Sequence, residues 1–205
     1  NQTLFYGLYS RINSVWENSW LAAEGAPGPE EVAILQPLVD QGLLPASILT
    51  DPPVMAPTSG ERQLDRKNLK AASALLDEAG WLVGEDGIRR NDKGEVLKLE
   101  VLNDSPQFDR VITPFVENLI ALGIDAKLEN VDTAQYEERV RNPEYDFDLI
   151  TDNARSGYFS GSELKQFYGS ETADVSAFNL AGLKSPAVDK LIEVVMAATT
   201  KDELT

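Results

Sequence analysis

Apolar and polar positions follow two different periods in the middle of this chain, and the switching between them sets the expected fold. Over 67–81, Leu69, Ala72, Leu76 and Ala79 recur at helical spacing. Asp65 stands where a side chain can accept amide hydrogens at a helix start, and Gly80 where a left-handed residue can end the helix. Trp81 follows, an apolar residue able to fold back on the last turn. From Leu97 the period becomes two: Leu97, Leu99 and Val101 alternate with Lys98 and Glu100, as in a half-buried strand. Ser105 and Pro106 then open a helix whose apolar stripe is Phe108, Val111, Ile112, Phe115, Leu119 and Leu122. Gly123 closes that helix, and Ile124, Ala126 and Leu128 begin another alternating strand. Strand, covering helix and strand make a βαβ unit, so the two strands are expected to run parallel with a right-handed crossover. An α/β fold with an open sheet flanked by helices is the expectation.

The flanks add shorter elements. A helix is expected over 1–9, and another from Pro29 to Leu35, interrupted by Pro37. Over 45–60 the prolines at 45, 52, 53 and 57 and the lack of period predict an extended surface crossing. Turns at 84–87 and 91–94 bracket a short strand over 88–90, a hairpin leading into the Leu97 strand. Asp132 and Gln135 have capping-box spacing, 145–150 reads as a third strand, and Ser160 with Glu163 repeats the capping spacing before a short helix ending near Gly169. Ser185 and Pro186 open a last helix with the stripe Val188, Leu191, Ile192 and Val195.

Length and charge narrow the function. A chain of 205 residues can bury roughly 70% of its unfolded surface, enough for one sizeable core, and one compact domain is the expectation. With 18 basic against 34 acidic residues the net charge is −16, and no basic run exists to neutralise phosphates, which argues against nucleic acid and against an anionic membrane surface. Neither Cys nor His is present, so a disulfide framework, a thiolate site and a histidine base or ligand are all excluded. The opening, NQTLFYGLYS, reads as the middle of a helix, and the chain is expected to be a piece of a longer protein. Lys201 to Leu204 spell a retention signal that must be terminal, but Thr205 follows them.

Among candidate chemistries, carboxylate pairs such as Asp146 with Asp148 read as solvated surface in so acidic a chain. Residues 91–95 resemble a calcium loop only faintly, because their oxygens do not alternate as such a loop requires. Ser162 and Lys165 match a Ser-x-x-Lys acyl-transfer motif, unaccompanied by its partner motifs. The better candidates lie where ligands bind in open parallel sheets, at the carboxyl ends of strands. After the 145–150 strand come Asp152, Asn153, Arg155, Ser156 and Tyr158, a mixture of charge, amide and aromatic suited to peptide or sugar. Asn103 and Asp104 occupy the equivalent end of the Leu97 strand, with a polar turn as the competing reading, and Ser105 reads as a helix cap.

Several stretches carry a family resemblance. LDRKNLKAASALLDEAGW at 64–81, DKGEVLKLEVL at 92–102 and a helix ending in LGI resemble the carboxyl-terminal lobe of bacterial extracellular solute-binding proteins of the oligopeptide and dipeptide class, family 5. LFYGLYSRINSVWENSWLAAEGAPGPEEVAIL, VDTAQYEERV, YDFDLI, Glu163 before FYGS, and FNLAGLKSPAVDKLIE extend the resemblance over almost the whole chain and towards the Yej-type branch. It implies a periplasmic-binding-protein fold of the second type, residues 1–205 forming one lobe, with peptide held in a cleft against a second lobe. It further implies a non-enzymatic, monomeric component of an ABC transporter in the Gram-negative periplasm. Such a component is peripheral to the membrane, needs no cofactor, and delivers peptide to permease subunits. Relatives often place Trp after the strand matching YDFDLI, where this chain has Thr151, Asp152, Asn153 and Ala154. Dipeptide-binding relatives hold the ligand's amino terminus with an aspartate in this region, and Asp152 is the nearest equivalent. Two readings stand beside this one: a hydrolase or transferase using acidic residues on carbohydrate or peptide, and the ligand-sensing lobe of a regulator.

Overall fold

The computed structural model describes residues 2–10, 12, 16–17, 19–22, 25–60, 64–142, 148–150 and 161–204. In chain order its helices and strands are α1 (Gln2–Phe5), α2 (Pro29–Asp40), α3 (Arg66–Glu78), β1 (Leu82–Val83), β2 (Arg89–Arg90), β3 (Lys98–Asn103), α4 (Asp109–Ala121), β4 (Asp125–Asn130), α5 (Thr133–Arg141), β5 (Leu149–Ile150), α6 (Ser162–Tyr168), α7 (Pro186–Ala197) and α8 (Lys201–Leu204). They fall into two compact units, neither continuous in sequence: Asn1–Arg11 with Pro57–Asn153, and Ile12–Ala56 with Ala154–Thr205.

The first unit is the expected open α/β arrangement. α3 begins where the Asp65 carboxylate accepts the backbone N–H of Lys67 at 2.8 Å and of Asn68 at 3.0 Å. It ends in a double closure, Gly80 N–H to the Asp77 carbonyl at 3.0 Å and Trp81 N–H to the Leu76 carbonyl at 2.9 Å. α4 ends the same way on Gly123, whose φ of 86° suits glycine. Here a side chain is also sterically barred, since a Cβ would lie 2.7 Å from the Gly87 carbonyl oxygen.

β3 pairs in parallel with β4 along its whole length, from Lys98 opposite Asp125 to Asn103 opposite Asn130, and in parallel with β5 at Val101–Leu149 and Leu102–Ile150. The sheet order is β4-β3-β5. Its antiparallel companion is a separate hairpin of β1 and β2, which reaches the approach to β3 through a bridge between Arg90 and Val96. One sheet face carries the core: Val101 and Ala126 from the strands meet Ile112 and Val116 from α4, with Leu76, Leu99, Leu119 and Leu128 packed around them. On the other face Glu100 takes the Lys127 ammonium at 2.6 Å and the Arg139 guanidinium of α5 at 4.0 Å. α4 and α5 therefore lie on opposite faces of the sheet, the doubly wound arrangement.

One buried cation ties this unit together. Arg89, only 1% exposed, donates from Nε to the Leu122 carbonyl at 2.6 Å and from its other nitrogens to the Asp77 carboxylate, the Trp81 carbonyl and the Ser73 hydroxyl. It stands at the carboxyl ends of both α3 and α4, where a positive charge meets the negative ends of two helix dipoles.

The second unit is organised differently. α6 and α7 pack together with Ala187 and Ile192 buried, and the interior turns on Asn179. Its Nδ2 donates to the carbonyls of Gly169 at 3.1 Å and Leu183 at 3.2 Å, while its Oδ1 accepts Leu183 N–H at 2.9 Å. Asp189 accepts Ser170 N–H at 2.8 Å, and hydrogen bonds from the Ser170 hydroxyl and N–H hold its carboxyl below the usual carboxylate range.

Several local expectations change. α1 stops at Phe5 because Tyr6 and Gly7 turn left-handed, at φ 53° and 76°. α2 continues through Pro37 to Asp40. The proline removes one N–H and crowds the carbonyl four residues back, yet burial of Leu38 and the closing bond from Leu43 N–H to the Leu38 carbonyl carry the helix past it. The helix opened by Ser105 starts as a 3-10 turn, Pro106–Phe108, before α4. Gln135 meets Asp132 as expected, its N–H donating to the carboxylate at 3.0 Å, and its amide donates to the same group. Ser160 and residues 143–147 of the third strand lie outside the described residues.

Candidate functional site

Because all three strands of the β4-β3-β5 sheet are parallel, their carboxyl ends share one edge. The connection from β3 runs over one face to β4, and the connection from β4 returns over the other face to β5, beyond β3. The strand order thus reverses between β3 and β5, and the crevice outside their carboxyl ends is where this topology places a ligand. Leu102 pairs with Ile150 at that edge, and Asn103, the last residue of β3, stands opposite Asn130.

Asn103 is completely buried. Its Nδ2 is directed at three acceptors, each 3.0 Å away: the Ser105 carbonyl, Asp109 Oδ1 and Asn130 Oδ1. Asn130 in turn donates to Asp109 Oδ2 at 3.1 Å. The ends of β3 and β4 are thereby latched to the first residue of α4, where the Asp109 carboxylate also faces the positive end of the helix dipole. The Asn103 amide thus fixes the backbone at the strand ends. Asp104 follows it, half-buried, and its carboxylate makes no hydrogen bond or ion pair with any described residue. Ser105 does not cap by its side chain; its carbonyl accepts from Phe108 N–H at 2.9 Å.

The other predicted site residues, Asp152, Asn153, Arg155, Ser156 and Tyr158, lie outside the described residues. The Ser-x-x-Lys pair falls on α6, where the Ser162 hydroxyl donates to Glu163 at 3.1 Å. Residues 91–95 form a turn held by Asn91, whose Oδ1 accepts the N–H of Lys93 and of Glu95, both at 3.0 Å. Among the described residues no group of three or more acidic, His or Cys side chains is arranged to hold a metal, and no helix is long and apolar enough to cross a membrane. Sequence reasoning missed Asp109 and Asn130 as the partners of Asn103. The signal for both was weak, two ordinary polar residues at the start of a helix and the end of a strand.

A doubly wound sheet whose strand order reverses between β3 and β5 is a scaffold on which ligands bind at the strand ends. The chain matches the family described as "Bacterial extracellular solute-binding proteins, family 5 Middle" over residues 1–173, and it belongs to that family. It is 38% identical over 204 residues to the "Probable peptide-binding protein YejA" of Agrobacterium fabrum, covering 99% of this chain and 32% of that protein. Among solved structures it resembles NikZ from Campylobacter jejuni in complex with Ni(L-His), with a TM-score of 0.66 at 14% identity, covering 99% of this chain and 34% of the other. It also resembles the oligopeptide-binding protein AppA from Bacillus subtilis in complex with a nonapeptide, with a TM-score of 0.56 at 21% identity over 84% of this chain and 34% of that one. At those identities the likeness concerns the fold. The periplasmic-binding-protein architecture expected from the sequence is the observed one, and the chain spans about a third of the length of the relatives it matches.

Proposed function

We propose that residues 1–205 are one lobe of a two-lobed periplasmic solute-binding protein, which closes on peptides and delivers them to the permease subunits of an ABC transporter. The observation that carries this reading is the switch edge itself: Leu102 of β3 pairs with Ile150 of β5, Asn103 locks the backbone there, and the Asp104 carboxylate has no partner among the described residues. A half-buried carboxylate with no partner among the described residues suits the ammonium group of a peptide, which can give it a charge-assisted hydrogen bond. The name of the Agrobacterium relative supports peptide as the ligand class. Asp152, which follows β5 in sequence, is the second carboxylate assigned to the ligand's amino terminus, and Asn153, Arg155, Ser156 and Tyr158 are assigned to the ligand with it.

Native mass spectrometry of the full-length protein is the test. Retained peptides, released without turnover and weakened in Asp104→Asn and Asp152→Asn, are the expected result. Peptide binding unchanged in both variants removes the assigned carboxylates, and hydrolysis of any peptide or glycoside by the purified protein removes the transport reading.

A further inference from the structure

A groove of about 480 Å³ lies wholly within the second unit, between α2 and the chain that runs back past it. Leu35 of α2 and Ile48 of the turn Ala46–Leu49 line it together with Pro27, Pro45, Pro52 and Pro53. Proline rings fix φ, so these walls hold their shape before any ligand arrives and little entropy is lost when one does. At its mouth Val54 is 99% exposed, with Ile34 and Met55 also exposed nearby in sequence. Among the described residues that line the groove the ionisable groups are both carboxylates, Glu31 and Asp51. Each is oriented by a local bond: Glu31 accepts the Gly28 N–H at 2.7 Å, and Asp51 accepts the Thr50 hydroxyl at 3.0 Å.

The volume falls in the range of small-ligand sites, roughly 300–1,000 Å³. A folded partner would instead need about 800 Å² of its own surface buried against a broad face. Apolar walls with two anionic groups at the margin complement a ligand that is apolar and positively charged. We propose that this groove binds a short peptide carrying a bulky apolar side chain next to a positive charge. The ligand class rests on the peptide reading above, whereas the groove is lined by residues other than Asn103 and Asp104.

The test uses the full-length protein and two probes, Leu-Leu-Lys and Leu-Leu-Glu, measured by calorimetry. A photo-reactive phenylalanine analogue of the first probe is cross-linked and mapped by mass spectrometry. The expected results are cross-links within residues 25–54, preference for the lysine peptide, and a roughly three- to fivefold loss of that preference in Asp51→Asn, the size of an exposed charge pair. Ser47→Trp, at an exposed position on the groove wall, is expected to abolish the cross-link without altering the circular dichroism spectrum. Equal affinity for both probes in every variant, with cross-links elsewhere, overturns the groove and leaves the peptide reading standing. No binding of either probe, with no peptide retained from cells, overturns both.

Discussion

In the unit built on β3, Ile112 and Val116 of α4 meet Val101 and Ala126 of the sheet, and Arg89 clasps two helix ends from beneath. In the unit of α6 and α7 the buried apolar side chains among the described residues are Leu38, Ala187 and Ile192, while Asn179 holds the loops on either side of it by their carbonyls. The first interior is an apolar layer held by two polar groups, Arg89 and Asn103, and the second is a polar hub with modest apolar packing. Period finds the former, because an apolar layer between a helix and a sheet must repeat at 3.6 on one side and 2.0 on the other. It misses the latter, because a single asparagine at a loop crossing has no repeat.

The largest expected effect tests the clasp. Arg89→Ala leaves the Leu122 and Trp81 carbonyls and the Ser73 hydroxyl without their donor, and should cost on the order of 3–5 kcal/mol in urea denaturation. Hydrogen exchange should rise most at the ends of α3 and α4. A loss under 1 kcal/mol would mean that the apolar layer alone suffices.

Asn179→Ala is the matching change in the other unit. It removes bonds to Gly169 and Leu183, with an expected cost of about 1–3 kcal/mol and faster exchange at 169–183. Exchange rates there equal to those of the parent would show the hub to be dispensable.

The smallest effect is at the hairpin surface. Asp86 accepts both Arg90 guanidinium nitrogens at 2.8 Å and the Ile88 N–H at 3.1 Å, and these, Arg90 foremost, lower its carboxyl to about 2. A depressed folded-state value stabilises above the unfolded value, near 3.9, and that contribution disappears as pH falls towards 2. The difference in urea midpoint between the parent and Asp86→Asn should be present at pH 6 and close between pH 4 and 2. A difference independent of pH would assign it to the turn geometry instead.

The comparison also shows how much was legible. Leu69, Leu76 and the Asp65 and Gly80 boundaries gave α3 almost residue for residue, since caps and stops are local chemistry. The parallel pairing of β3 with β4 followed from the alternation on either side of one helix. Pro37 misled, because the intrinsic cost of a proline inside a helix was outweighed by the burial of Leu38, which only the folded unit supplies. Arg89 passed unnoticed, since an arginine in a short strand reads as surface until two helix ends converge on it. Of the candidate site, the strand-end position of Asn103 and Asp104 was legible from topology. Their division of labour was not: Asn103 spends its amide inside on Asp109 and Asn130, while Asp104 keeps its carboxylate unpaired among the described residues.

The sequence by itself determined the elements of the sheet unit, their parallel sense and the family, because apolar period, helix caps and glycine stops act over a few neighbouring residues. The tertiary structure decided that the chain makes two discontinuous units, that Arg89 and Asn179 are interior groups, and that the proline-rich stretch walls a groove. Those outcomes depend on which distant carbonyls, carboxylates and rings come together, and no local pattern encodes that.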